Sequence, residues 1–229
     1  MWQLNGHKAR FCTPEFETLV NVAEPWNGLT NCLYRGEVFA AAGLLQADVR
    51  ELVAEQLAVS ETYIRGCDLV ATYTPSRQRP VRVQIYWRAR VSQEIPAAGM
   101  EMILSAQTDL LDSNPQVHAR STFQPGQLLG WNAQQAACVP ECEPSNLYLY
   151  RPASGKVSYC EMLHSTDFSQ VALSHTPPQL TWSLFPERLE KGVIRRARLA
   201  GMFVPRDSDQ AASLAAYHAF EAAPLPLTT

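Results

Sequence analysis

Val81-Arg82-Val83-Gln84-Ile85-Tyr86-Trp87-Arg88-Ala89-Arg90-Val91 is the stretch that decides the fold. Val81, Val83, Ile85, Trp87, Ala89 and Val91 fall on one side of an extended chain, and Arg82, Gln84, Tyr86, Arg88 and Arg90 on the other. Side chains of a strand point alternately to its two faces, so an unbroken period of two predicts a half-buried antiparallel strand. One side has to find a core. The other, carrying arginines, a tyrosine and a glutamine, faces outward.

The flanks repeat the theme. Residues 62–65 and 68–73 enclose Gly66-Cys67 and read as a hairpin, followed by a polar turn over residues 75–80. Residues 100–109 and 117–123 supply two further strands, joined through Asp112-Ser113-Asn114-Pro115. Residues 147–151 and 156–163 pair across Pro152-Ala153-Ser154-Gly155, and residues 180–185 and 193–204 across residues 186–192. Many strands with short polar turns predict a sandwich or barrel. The Ala-rich segment 208–222, preceded by Asp207 and stopped by Pro224, predicts a C-terminal helix. Residues 47–58 fit either a helical face or an extended chain, and residues before 45 show little periodicity beyond a turn at Asn27-Gly28. Residues 124–146, interrupted by Pro125, Gly126, Gly130, Pro140 and Pro144, read as one long functional loop, with a short helix at 132–137 as the alternative. The expectation is one mainly-β domain over residues 1–229, an antiparallel sandwich with long curved sheets and a C-terminal helix.

Composition narrows the classes. The chain has 229 residues, 46% hydrophobic and 18% charged, with a net charge of −3. That excludes disorder, collagen and coiled coil, and it counts against a nucleic-acid partner held by bulk positive charge. No uncharged apolar run of about 18 residues is present, so no membrane span is expected. The first ten residues lack the apolar centre of a signal peptide, and six cysteines in a chain of this size read as reduced thiols. A cytoplasmic location follows as an expectation. Sixteen of the nineteen basic residues are arginine. Guanidinium offers a planar fork for carboxylates, phosphates and rings, although GC-rich codon usage produces the same bias.

The outward face of residues 81–91 is the first candidate site. Same-face neighbours lie about 6.5–7 Å apart, so Arg82, Tyr86, Arg88 and Arg90 could bind a carboxylate, a phosphate or a hydroxyl-rich sugar through forked hydrogen bonds. Gln107, Asp109, His118, Arg120, Arg196 and Arg198 could join them, depending on register. The alternative is that this is simply the wet side of an antiparallel sheet. Trp131 in the long segment and Trp26 beside Asn27-Gly28 are candidate stacking residues, Trp131 also a lid, with burial of their loops against the sandwich the slightly favoured alternative, whereas Trp87 belongs to the core side. His118, with Asp109 and Asp112 nearby, is the candidate for acid–base work. Asp109 with Asp112 and Glu187 with Glu190 are open as carboxylate pairs for glycoside hydrolysis, whose meeting across a cleft sequence spacing does not show, and Glu190 beside Lys191 reads as a surface pair at a turn.

Cys138, Cys142, Cys160 and His164 have a spacing that zinc accepts, yet residues four apart on a strand are about 13 Å apart. No metal is expected. The sequence has no Gly-x-Ser-x-Gly elbow, no His-Glu-x-x-His and no glycine-rich phosphate loop, and no cofactor is expected.

Arg65-Gly66, Asp68-Leu69-Val70-Ala71, the long strand at 81–91 and the strand that follows it resemble the galactose-mutarotase-like supersandwich. The resemblance implies stacked long antiparallel sheets, the concave polar face of one binding carbohydrate. The family's catalytic His and Glu match no particular positions here, so no catalytic residue is carried over. The expected function is binding or processing of a sugar or acidic sugar on the Arg-rich face, with turnover left open. The alternative is a non-catalytic or structural β-sandwich whose sheet surface or edge meets a protein partner.

Overall fold

In a computed structural model of the chain, Val83, Ile85 and Trp87 are buried and Arg82 on the opposite side is exposed, as the alternation requires. The structure describes residues 1–49, 59–75, 80–92, 94–115, 117–140, 144–167, 170–175, 178–185 and 188–224.

In chain order the first strands are β1 (Trp2–Asn5), β2 (Lys8–Cys12), β3 (Phe16–Asn21), β4 (Leu29–Tyr34), β5 (Glu37–Val38), β6 (Ala41–Asp48), β7 (Val59–Arg65) and β8 (Asp68–Tyr73). The middle of the chain gives β9 (Val81–Val91), β10 (Ala98–Thr108), β11 (Asp112–Ser113), β12 (Val117–Phe123), β13 (Gly126–Asn132) and β14 (Ala137–Val139). The last are β15 (Leu147–Pro152), β16 (Val157–Leu163), β17 (Gln170–His175), β18 (Pro178–Leu184), β19 (Leu189–Glu190) and β20 (Ile194–Pro205), followed by helix α1 (Asp209–Glu221).

Two large antiparallel sheets stack. Sheet I runs β1-β2-β3-β4-β6-β12-β18-β17, with β5 on β4; sheet II runs β14-β13-β15-β16-β20-β10-β9-β8-β7. Their inner faces share one core that includes Phe16, Tyr73, Trp87, Tyr159, Trp182 and Phe203. Fully burying a large apolar side chain contributes about 3 kcal/mol before entropic costs. Phe123 of sheet I stacks on Tyr150 of sheet II with ring centroids 4.2 Å apart, locking the two layers in register.

Two expectations are corrected. Residues 124–146 are not a long loop: β13 and β14 form a hairpin with Trp131 opposite Cys138, and β13 pairs with β15. Residues 133–136 make its turn rather than a helix, closed by Asn132 Oδ1, which accepts from the Gln134 and Gln135 amides at 2.9 and 3.0 Å. The strand was hidden because Leu128 enters the inter-sheet core while its neighbour Leu129 packs on the other side, erasing the alternation. The first 45 residues also hold β1 to β5 and the start of β6. Positive φ at Asn31, Arg35 and Leu45, with register shifts between β3 and β4 and between β6 and β12, breaks the period there. Strand β17 was likewise unforeseen. Of the ambiguous segment 47–58, residues 47 and 48 close β6 and residues 50–58 lie outside the described residues.

Helix α1 lies on the outer face of sheet II. Its Ala212, Ala216 and Phe220 pack on Leu129, Leu147, Leu149, Met162 and Met202. Asp209, in its first turn and buried, accepts from Arg151 at 2.9 and 2.8 Å and from Ser158 at 2.7 Å. A carboxylate at a helix N-terminus also complements the helix dipole. No helix among the described residues is long and apolar enough to cross a membrane.

Candidate functional site

The part of sheet II that α1 leaves uncovered is polar, and its register builds it in rows. Asp68, Arg88 and Glu101 stand opposite one another on β8, β9 and β10. The next row is Val70, Tyr86, Ile103 and Arg198; the next, Thr72, Gln84, Ser105 and Arg196; the last, Arg82, Gln107 and Ile194. Neighbouring strands lie about 4.8 Å apart, so these residues are neighbours on one side of the sheet, where Asp68, Val70, Glu101, Ile103 and Arg198 are buried and Arg82 and Arg196 are exposed.

Half of its charge is internally neutralised. Arg88 donates to both Asp68 oxygens, Nε to Oδ1 at 2.7 Å and Nη2 to Oδ2 at 2.9 Å, with Arg65 3.6 Å from Oδ2. Burial works against the Asp68 charge, but the hydrogen bonds and charge of Arg88, aided by Arg65, outweigh it and hold the carboxyl below its ordinary range. Arg90 donates through Nε to Glu101 Oε2 at 2.8 Å and through Nη2 to the same oxygen. Tyr86 donates to Gln84 Oε1, and Gln84 Nε2 donates to Thr72 Oγ1 at 2.9 Å. Burial pushes the Tyr86 phenol up, and Tyr63 adds to this, while Arg65 and Arg196 pull it back.

The other half is open. Arg82 and Arg196 are exposed, and among the described residues neither has an acidic partner. Gln84, Ser105 and Gln107 lie between them. At the border with α1, Arg198 is buried, held 3.5 Å from Asp167 Oδ2 and 5.8 Å from the Phe220 ring centre. Its Nη2 and the Glu101 Oε1 are buried polar atoms without a hydrogen-bond partner among the described residues. Such orphans are uncommon and mark places where a further polar group fits.

No protein-family model matches the sequence, and no curated protein does. Solved structures do. A Klebsiella pneumoniae protein provisionally described as an aldose 1-epimerase superposes with a TM-score of 0.55 at 8% identity, covering 99% of this chain and 90% of its own. The heparan sulfate lyase HepC of Pedobacter heparinus gives 0.51 at 9% identity over 88% of this chain. The chain has the galactose-mutarotase-like fold. It spans 35% of the lyase, so the likeness is to one portion of that enzyme.

Within this galactose-mutarotase-like sandwich the predicted residues separate into groups. Arg82, Tyr86, Arg88 and Arg90 share one face, and Gln107, Arg196 and Arg198 join them. His118 and Arg120 do not. They lie on β12 of sheet I and alternate with Val117, Ala119 and Phe123, which fill the core, so they point away on the far side of the sandwich. His118 sits 3.3 Å from Ser183 Oγ and opposite Asp48. Asp109 is exposed in the turn after β10, and no hydrogen bond or ion pair joins it to His118. The suggested acid–base pair is not assembled.

Trp131 shares the outer face of sheet II but sits beyond α1, five strand positions and about 24 Å from β9. It cannot cap the arginines. It lines a separate cavity of about 660 Å³. Cys138 and Cys160 are buried in the seam beneath α1, and burial pushes the Cys160 thiol up to about 12. His164 Nδ1 is 2.8 Å from Thr166 Oγ1, and Cys142 and Glu187 lie outside the described residues. Among the described residues no three His, Cys, Asp or Glu side chains gather as metal ligands. Glu190 pairs with Asp112 in the short β11–β19 ribbon. Trp26 is half-buried, and its carbonyl accepts from Gln46 Nε2 at 2.9 Å.

The sequence reading overlooked Asp68 and Glu101, the acids that organise the face. One signal was available. Glu101 interrupts the apolar run Met100 to Leu104, and a lone carboxylate in such a run demands a cation.

Proposed function

We propose that this chain binds or processes a carbohydrate, an acidic sugar in particular, on the uncovered face of sheet II. The observation that carries the reading is the pair Arg82 and Arg196, exposed, without acidic partners among the described residues, on either side of Gln84 and Ser105. Two guanidinium forks suit a carboxylate, and the amide, hydroxyl and Tyr86 phenol suit the ring hydroxyls. Arg88 and Arg90 keep the face in shape through Asp68 and Glu101, so their part in binding is to position Tyr86 and its neighbours. The shared fold of a protein described as an aldose 1-epimerase supports a sugar ligand.

The test is calorimetric titration with glucuronate and galacturonate beside glucose and galactose. The uronates are expected to bind more tightly, with affinity lost in a double Arg82→Ala, Arg196→Ala variant and reduced at high salt. Uronate binding that survives the double substitution, or none in the parent protein, would overturn the assignment. Polarimetry of the bound sugar then decides whether anomers are interconverted.

A further inference from the structure

A cavity lies on the other side of α1, away from the arginine face. It is bounded by the β13–β14 turn, the chain entering β15, and the helix, and its volume of about 660 Å³ lies within the range of small-molecule sites. Among the described residues that line it, none carries a formal charge. Its chemistry is aromatic and amide: Trp131 and Tyr217 supply rings, and Asn132, Gln134, Gln135 and Asn146 supply amides.

We infer that this cavity is a second binding site, for an uncharged saccharide. An aromatic ring covers the apolar C–H side of a pyranose while leaving its hydroxyls at the edge. Gln134 and Gln135 offer both donors and an acceptor, matching hydroxyls that do both, and Asn132, its Oδ1 taken by the turn, offers amide donors. A charged ligand would enter without a counter-ion among the lining residues, which separates this site from the cationic face.

The walls are held in place before any ligand arrives. Asn132 Oδ1 caps the turn by accepting two backbone amides, which directs the amide edge of the turn. The Cys138 amide donates to Gln210 Oε1 of α1 at 3.2 Å, fastening the hairpin to the helix. Trp131 and Tyr217 both rest, half-buried, on the apolar seam under α1, and Asn146 lies beside the Tyr217 hydroxyl. The hairpin and helix walls are thereby tied together, which lowers the ordering that these two lose on binding.

The experiment is titration with glucose, galactose, maltose and cellobiose, followed by calorimetry and tryptophan fluorescence. At least one is expected to bind saturably, with affinity falling about tenfold or more in Trp131→Ala. Gln134→Ala changes an exposed turn residue and leaves packing intact, so weaker binding in that variant cannot be ascribed to misfolding. The Arg82→Ala, Arg196→Ala protein is expected to bind the same neutral sugar within about twofold of the parent, since distant sites act independently. That arm separates this inference from the acidic-sugar reading: either site can fail while the other holds. No binding by any of the four sugars overturns the inference. So does binding indifferent to both Trp131→Ala and Gln134→Ala, or binding lost with the two arginines.

Discussion

Trp182 and Glu161 meet in the middle of the sandwich: the indole Nε1 of β18 donates to Oε1 of β16 at 2.7 Å, a polar bond joining sheet I to sheet II. Tyr159 donates to the other carboxyl oxygen at 2.8 Å, and Ser121 donates to it while accepting from the Leu45 amide at 2.9 Å. The bulge that gives Leu45 its positive φ thus ends on the same cluster.

Among the described residues no cation accompanies Glu161, and burial pushes its pKa up despite these three donors. The raised folded pKa means that ionisation costs stability: the cost is absent below the ordinary carboxylate value and grows as pH rises towards the folded one. Glu161→Gln is therefore expected to gain on the parent protein with rising pH, read as urea midpoints at pH 4, 6 and 8. A difference that stays flat across that range would contradict this. Glu161→Leu strands the Trp182 and Tyr159 donors and is expected to cost about 2–4 kcal/mol.

The Arg88–Asp68 pair has the opposite sign. Its carboxyl sits below its ordinary value, so the stabilisation is present at neutral pH and disappears as pH falls through the folded pKa. Asp68→Asn is expected to lower stability by about 1–3 kcal/mol at pH 7 and by much less near pH 3. Thermal melts of both proteins at the two pH values check it, and equal losses at both would remove the ion pair as the cause.

Gly201 lies on β20 directly under the Tyr159 ring, and a Cβ there would collide with the phenol oxygen. Gly201→Ala is expected to cost about 1–3 kcal/mol through overpacking. Combined with Tyr159→Phe, which removes the colliding oxygen, the two costs should fall short of their sum. A double-mutant cycle of unfolding free energies measures that coupling.

Asp209 anchors α1 through Arg151 and Ser158. Asp209→Ala leaves the Arg151 guanidinium without its acid and is expected to cost about 2–3 kcal/mol. The loss should concentrate in the helix, so amide exchange of residues 210–221 should quicken before that of β9 and β10. Uniform acceleration across both would show that the helix does not open as a separate unit.

Much of this was legible in the chain. The alternation of Val81–Val91 specified a strand and assigned each side chain to a face, and Gly66, with φ of +60°, marked the hairpin turn that joins β7 to β8. Asp207 and Pro224 bracketed the helix. What was hidden had a physical cause. Leu128 and Leu129 are both buried, one in each apolar cluster, so β13 carries no period; in β4 and β6 positive-φ residues and shifted register break it.

The sequence by itself determined the class of fold, the strands with clean alternation and the composition of the Arg-rich face, because side-chain period and turn chemistry are local properties of the backbone. Only the tertiary structure decided what that face does with its charge. Strand order and register bring Asp68 and Glu101 to Arg88 and Arg90, leave Arg82 and Arg196 open, carry His118 to the far side and set α1 between the arginines and Trp131. Those neighbours are distant along the chain, and their meeting is fixed by burying two whole sheets and a helix at once, which no local pattern encodes.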